Sequence, residues 1–210
     1  LYLLAFARKR GLSVHVDVYE PRDFANPGPF GCNRCAGILS GRLLRNIREL
    51  DLAIPEAVVQ SRIDTYTVFS PFGTIEATNP EPGGQLYSIY RGGGPLRAPL
   101  EPGRSFDRFL LDEAQRRGAH WLRSRVKGIS LKPRPALLTG DERREYDLIA
   151  LCAGVNFPPL PIEGVDYRPG PALRMSQDEL LAQEEDIARS FGSGVKVFVL
   201  PSSPLIFGTL

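Results

Sequence analysis

Valine alternates with polar residues over VHVDVYE, residues 14–20, and the run closes on an acid. Period-two alternation of β-branched residues predicts a strand ending at Glu20. Before it, Leu1 to Arg10 has helical character with a basic last turn, and Gly11 stands where a helix-ending glycine belongs. The stretch PRDFANPGPFG that follows Glu20 is punctuated by Pro21, Pro27, Gly28, Pro29 and Gly31 and predicts a loop. Leu39, Leu43, Leu44, Ile47 and Leu50 recur at helical spacing, with Arg42, Arg45, Arg48 and Glu49 opposite, which predicts a surface helix over 39–50.

From Ile63 to Tyr90 the texture changes. IDTYTVF, an SPFG turn, TIEAT and LYSIY read as short strands of an antiparallel sheet. A second helix opens at Ser105, places Phe106, Phe109, Leu110 and Ala114 on one face and closes at Gly118. Strands are predicted at His120–Val126, Ile129–Lys132 and Tyr146–Cys152. SQDE at 176–179 is a capping box and opens a helix running to about Ser190, and VKVFVL at 195–200 is a further strand. There is no internal repeat and no low-complexity tract.

Composition narrows the chemistry. The 210 residues are 42% hydrophobic and 24% charged, with a net charge of +2, which describes an ordinary globular chain. Basic residues are scattered among acidic ones, so no stripe for nucleic acid stands out. Three cysteines do not make a disulfide scaffold and fit a reducing, cytoplasmic setting. The apolar start LYLLAFARKRG is only a few residues long and its charges follow it, the wrong pattern for a secretory signal or a spanning helix. The chain begins with Leu and ends in PLIFGTL, which reads as mid-strand, and is therefore expected to be a fragment.

Candidate chemistry starts at Glu20. In a dinucleotide-binding βαβ unit, the acid closing the second strand accepts hydrogen bonds from ribose hydroxyls, about 20 residues after a glycine fingerprint. Counting back that far reaches residue 1 or earlier. A solvated strand end is the plainer reading of the same residue. YDLIALCAGVNFPPLPIEG, residues 146–164, is an apolar run entering Cys-Ala-Gly and then a proline-rich exit. Small residues at Ala153 and Gly154 would let backbone pass close to a cofactor; a buried strand with a tight turn is the alternative. Cys32 and Cys35 form a lone C-x-x-C. His15, His120 and Cys152 supply no second pair at ligand spacing, so no metal site is expected. A redox dithiol, or two small residues shaping a loop, remain.

With these residues in this order, nearly the whole chain resembles the FAD-dependent oxidoreductases of the geranylgeranyl reductase family, within the glutathione-reductase-like flavoproteins. The resemblance implies an α/β fold: an incomplete Rossmann-like, three-layer FAD-binding domain with an antiparallel β-sheet substrate domain. The FAD-binding part is expected over residues 1–56 and 100–165, and the incomplete, β-rich substrate part over 57–99 and 166–210. The implied cofactor is FAD. Its contacts would be Glu20 and Arg22 at the strand tip, the loop residues Cys35, Ala36 and Gly37 beside the flavin, Arg104 ahead of Phe-Asp, the backbone of Val126, and Ala153 with Gly154. Cys35 is the candidate catalytic residue, with Cys32 shaping the turn.

The resemblance also implies hydride transfer from reduced flavin to carbon–carbon double bonds of an isoprenoid or lipid-like substrate. NAD(P)H or ferredoxin would be the electron donor, and transient contact with a membrane is implied. Tyr66, Val68, Phe69, Leu86, Tyr87 and Tyr90 are candidates for an apolar tunnel wall, and sheet core is their plainer reading. A flavin monooxygenase or halogenase, and a non-catalytic nucleotide-binding module, are the alternative readings. The phosphate-binding glycine loop and a later Gly-Asp segment are absent from these 210 residues, so the fragment alone is expected to hold FAD weakly or not at all.

Overall fold

The computed structural model describes residues 1–26, 37–78, 85–94, 100–101, 103–140, 142–154, 160–166, 170, 182–192, 194–199 and 206–208. Cys32, Cys35 and Ala36 lie outside the described residues. The architecture is mixed α/β, with parallel and antiparallel strand pairs. The chain divides into two compact units: residues 1–15, 23–119 and 177–210, and residues 16–22 and 120–176. These units are drawn along different lines from the two segment pairs expected. The physical reason is a shared core: residues of the second helix of the chain pack with those around the third.

In the larger unit, helix α1 is Tyr2–Lys9 and strand β2 is Ile38–Leu39. Helix α2, Gly41–Glu49, starts only after Ser40, whose hydroxyl accepts the Leu43 amide at 3.3 Å as an N-cap. Leu39 is therefore strand, where helix was predicted from residue 39. Strands β3 (Val59–Ile63), β4 (Thr65–Ser70), β5 (Gly73–Thr78) and β6 (Leu86–Ile89) follow. They do not join one antiparallel sheet. β6 lies between β2 and β3, antiparallel to both. β4 pairs antiparallel with β5 and parallel with β11, Gly194–Phe198, which in turn pairs antiparallel with β12, Ile206–Gly208. The parallel β4–β11 register spans residues far apart in sequence, which no local turn signal announces.

Helix α3, Phe106–Arg116, opens on Ser105, whose hydroxyl accepts the Arg108 amide at 3.1 Å. One cluster gathers the apolar faces of these elements: Leu39, Leu44, Ile47, Leu50, Leu52, Val58, Ile89, Phe106 and Phe109 are all buried in it. Val58 is fully enclosed, and such a side chain contributes about 1.5–3 kcal/mol by leaving water. A second cluster of Ile63, Val195 and Val197 is covered by Ile38, Tyr66, Val68 and Leu86. Helix α4 is Glu184–Phe191. It starts eight residues after Ser176, where the capping box predicts a helix to open, and residues 176–179 lie outside the described residues.

In the smaller unit, β1 (Val16–Tyr19) pairs with β7, Ala119–Leu122. β8 (Gly128–Ser130), β9 (Ala136–Thr139) and β10 (Glu142–Glu145) form an antiparallel meander. The β9–β10 hairpin was not predicted. Its turn includes Gly140 at φ +60°, and its last strand, ERRE, carries no apolar residue to betray it. Two predicted strands are shorter than read: 120–126 ends at Leu122, and 129–132 ends at Ser130. The third, Tyr146–Cys152, is no strand at all; it is irregular, with Leu148 71% and Leu151 44% exposed and Cys152 exposed. An apolar run is strand only where neighbouring strands take its backbone hydrogen bonds, and no ladder reaches 146–152 among the described residues.

The larger unit depends on a close backbone approach. Gly37 has φ +66°, and a Cβ there would stand 2.1 Å from the Ile89 carbonyl oxygen. The Ile89 amide donates to the Gly37 carbonyl at 2.9 Å. Gly37→Ala is expected to cost about 3 kcal/mol or more in urea denaturation. Gly11→Ala, at φ +65° in open space, should cost only the left-handed backbone penalty of about 1–2 kcal/mol. Equal losses at the two positions would contradict this account.

Candidate functional site

The tip of β1 is held on three sides. Its alternation places Asp17 and Tyr19 on one face. Beyond Tyr19, the Glu20 amide donates to the Leu122 carbonyl at 3.2 Å, and the Trp121 indole Nε1 donates to the Glu20 carbonyl at 2.7 Å. Both backbone groups of Glu20 are thereby fixed by β7. Trp121 was not singled out in the sequence; a lone Trp in an alternating strand shows no sign of which carbonyl its N–H will find.

The Glu20 side chain folds back onto Arg22. Its Oε1 accepts the Arg22 amide at 3.0 Å and Nε at 2.8 Å, and its Oε2 accepts Nη2 at 2.7 Å. The Glu20 side chain is 20% exposed and the guanidinium 39%. Partial burial pushes the Glu20 carboxyl upward, and the side-chain bonds, the backbone bond and the charge of Arg22 together more than reverse it, so the carboxyl sits below its ordinary range. Of the four lone-pair positions of the carboxylate, three are occupied by one residue. Among the described residues, Oε2 accepts that single bond and retains a position for another donor.

Next to this tip, Tyr146 donates to Asp17 Oδ2 at 2.6 Å and its hydroxyl is 2.7 Å from that of Tyr19. Burial and these two hydrogen bonds hold the Tyr146 phenol well above its ordinary pKa, so it stays a neutral donor. His120 Nδ1 is 3.8 Å from Asp17 Oδ1. This network locks the start of the irregular 146–154 segment against β1.

The remaining predicted residues are placed as follows. Val126 is half-buried in the irregular stretch between β7 and β8. Ala153 and Gly154 are exposed; Gly154 has φ +79° and open space around it. Arg104 belongs to the larger unit, where its guanidinium lies 4.9 Å from the Tyr90 ring centroid. Beside it the Asp107 carboxylate accepts Arg91 Nε at 2.9 and 3.0 Å and the Gly92 amide. Gly37 is bonded to Ile89 of β6 through its carbonyl; Cys35 and Ala36 lie outside the described residues. Thus Glu20 and Arg22 are brought together, and Arg104 has an aromatic platform.

The tunnel-wall candidates have packing partners instead. Tyr66, Val68 and Leu86 cover the second core cluster, and Tyr87 packs on the first with Arg62 5.2 Å from its ring centroid. Phe69 stacks on Phe198 at 4.9 Å. A cavity of about 600 Å³ lies in the smaller unit, between the β8–β9 hairpin and residues 160–166, and none of these six side chains lines it.

No family model matches the chain, and no curated protein matches it. Among solved structures it is similar to a geranylgeranyl bacteriochlorophyll reductase-like protein from Thermoplasma acidophilum. The identity is 18% and the TM-score 0.44, over 67% of this chain and 32% of that one. It is also similar to the peptidyl tryptophan dihydroxylase QhpG, essential for tryptophylquinone cofactor biogenesis, at 20% identity and TM-score 0.41, over 69% and 27%. The chain spans about a third or less of the length of these two structures.

Because the native Glu20 carboxyl lies below its unfolded value, the stability it contributes is complete above the ordinary carboxyl range and is lost as pH falls through the lowered native value. Arg22→Ala is expected to lower stability by up to about 1 kcal/mol near neutral pH, solvent screening of the half-exposed guanidinium setting the ceiling. In urea denaturation repeated at falling pH, the gap between variant and parent should close below about pH 4. A gap independent of pH would contradict the assignment.

Proposed function

We propose that this chain contributes the adenosine-binding strand tip and the flavin-facing loop of an FAD-dependent oxidoreductase. The observation that carries the reading is the Glu20 carboxylate: ionised, fixed at the end of a strand, and left, among the described residues, with one lone-pair position open to a hydroxyl donor. That is what a ribose needs from a protein at this place. A solvated strand end would not require both backbone groups and three of four carboxylate positions to be tied down.

FAD, when bound, supplies the hydride chemistry, and the protein's share is position and surroundings. Glu20 accepts a ribose hydroxyl through Oε2. Val126 meets the adenine through its backbone, two residues beyond Ser124, whose amide donates to the Leu122 carbonyl at 2.8 Å. Ala153 and Gly154 carry no bulk that would block a close approach, which the open space at Gly154 supports. Arg104, steadied on Tyr90, offers a charge to the cofactor. Cys35, with Ala36 and Gly37 beside the flavin, is the candidate proton donor to the carbon that does not receive hydride. The substrate class is an electron-poor or protonated double bond in an isoprenoid or lipid-like chain, with NAD(P)H or ferredoxin renewing the reduced cofactor and transient docking at a membrane surface in a cytoplasmic setting.

The test is spectroscopic. Protein produced from the complete reading frame should be yellow, with a flavin absorbance spectrum and FAD released on denaturation. Glu20→Ala should weaken FAD binding about tenfold, the worth of a charge-assisted hydrogen bond. A colourless parent, or full FAD affinity in Glu20→Ala, would overturn the reading. Cys35→Ala should lower turnover far more than flavin content; unchanged turnover removes Cys35 from the catalytic role.

A further inference from the structure

We infer that His15, Asp17 and His120 form a binding site for a divalent transition-metal ion of the zinc class, on the face of the β1 run that also carries Tyr19. The inference is independent of the flavin reading, which assigns these three residues no role.

Spacing along the chain predicts no metal site, because His15, His120 and Cys152 supply no pair of the kind a zinc knuckle uses. Strand pairing supplies the partners instead. His15 stands one residue before β1, and the period-two alternation of an extended run puts it on the same face as Asp17. β7 pairs with β1 and brings His120 alongside. Each of the three residues offers a ligand atom, and these atoms lie within 4.8 Å of one another. His120 Nδ1 is 3.8 Å from Asp17 Oδ1. With metal–nitrogen bonds of about 2.0–2.1 Å, the ligand atoms of a tetrahedral site stand about 3.4 Å apart. Both imidazoles are exposed, the His120 side chain to 68%, so a change of rotamer closes that gap without moving backbone.

The carboxylate is the fixed member. The Asp17 side chain is 8% exposed, and its Oδ2 accepts the Tyr146 hydroxyl at 2.6 Å. That bond orients the carboxylate with Oδ1 toward His120, the kind of support from behind that ligating carboxylates receive in metal sites. Two imidazoles and one carboxylate suit zinc, cobalt, nickel or copper, and three protein ligands leave a position for water. Magnesium and calcium, which want oxygen ligands throughout, are poorly served. The exposed Arg144 of β10 sharpens the choice: it lies within electrostatic reach of Tyr19 and Asp17, so its charge opposes any cation held by field alone. Affinity here has to come from nitrogen–metal bonds. An ion so held bridges β1 to β7 and stabilises a strand pair that is otherwise short.

The experiment uses the full-length protein without an affinity tag, stripped with a chelator and titrated with Zn²⁺ by calorimetry. The parent should bind an equivalent in the micromolar range, and Zn²⁺ should raise its urea midpoint, because an ion bound by the folded state alone stabilises it. His15→Ala and His120→Ala, both at exposed positions, should each lower the affinity about a hundredfold, and Tyr146→Phe, a positioning change, about tenfold. His120→Cys keeps a zinc ligand and should restore binding. With Co²⁺ it should add a sulfur-to-metal charge-transfer band beyond any seen in the parent, which a merely structural residue at 120 would not produce. Zinc affinity no better than millimolar in the parent, or undiminished in both alanine variants, overturns the site. A folded His120→Cys protein without the new band removes residue 120 as a ligand, and the three-residue site with it. Unchanged affinity in Tyr146→Phe overturns the positioning role of Tyr146 while the site stands.

Discussion

The larger unit is organised by one strand, β6, and above all by Ile89. Its side chain is 3% exposed in the main core, its amide bonds Gly37, and its carbonyl leaves no room for a Cβ at that position. Through β6, strands β2 and β3 join one sheet, and through Tyr90 the sheet reaches α3: the Tyr90 carbonyl accepts the Phe106 amide at 2.9 Å. Helices α2 and α3 then close over the same apolar face. A single glycine thus fixes how closely the backbone at residue 37 lies against β6.

In the smaller unit the equivalent constraint is electrostatic. β1 is short, and a two-stranded pair is marginal without further support. Support comes from polar groups: Trp121 and Leu122 hold the backbone of Glu20, Tyr146 donates to Asp17 and bonds the Tyr19 hydroxyl, and Arg22 compensates the Glu20 charge. Away from this tip, the Glu163 carboxylate accepts the Ser130 hydroxyl and its amide donates to the Ile129 carbonyl, which ties residues 160–166 to the meander. The same hydrogen bonds that stabilise the strand end also fix the orientation of the Glu20 carboxylate.

Much of this was legible one residue at a time. The 14–20 alternation marked a strand, Ser105 and the Phe106/Phe109 face marked α3, and the acid at a strand end raised the question of a ribose. These follow from local periodicity and capping, which depend on neighbours three or four residues away. The same reasoning overextended helix α2 back through Leu39 and promoted 146–152 to a strand. Apolar character is shared by a sheet residue, a helix face and an exposed run, and only a partner strand separates them.

Residue order alone determined the mixed α/β character, the Ser105 cap, the turn glycines and the presence of Glu20 and Arg22 two positions apart. Tertiary structure alone decided that β4 runs parallel to β11, that Gly37 must be glycine because a carbonyl from residue 89 lies against it, and that Arg22 is spent on Glu20. Those facts depend on contacts between distant segments or on a choice among side-chain rotamers, and the free energy that settles such choices is set by what surrounds them in space.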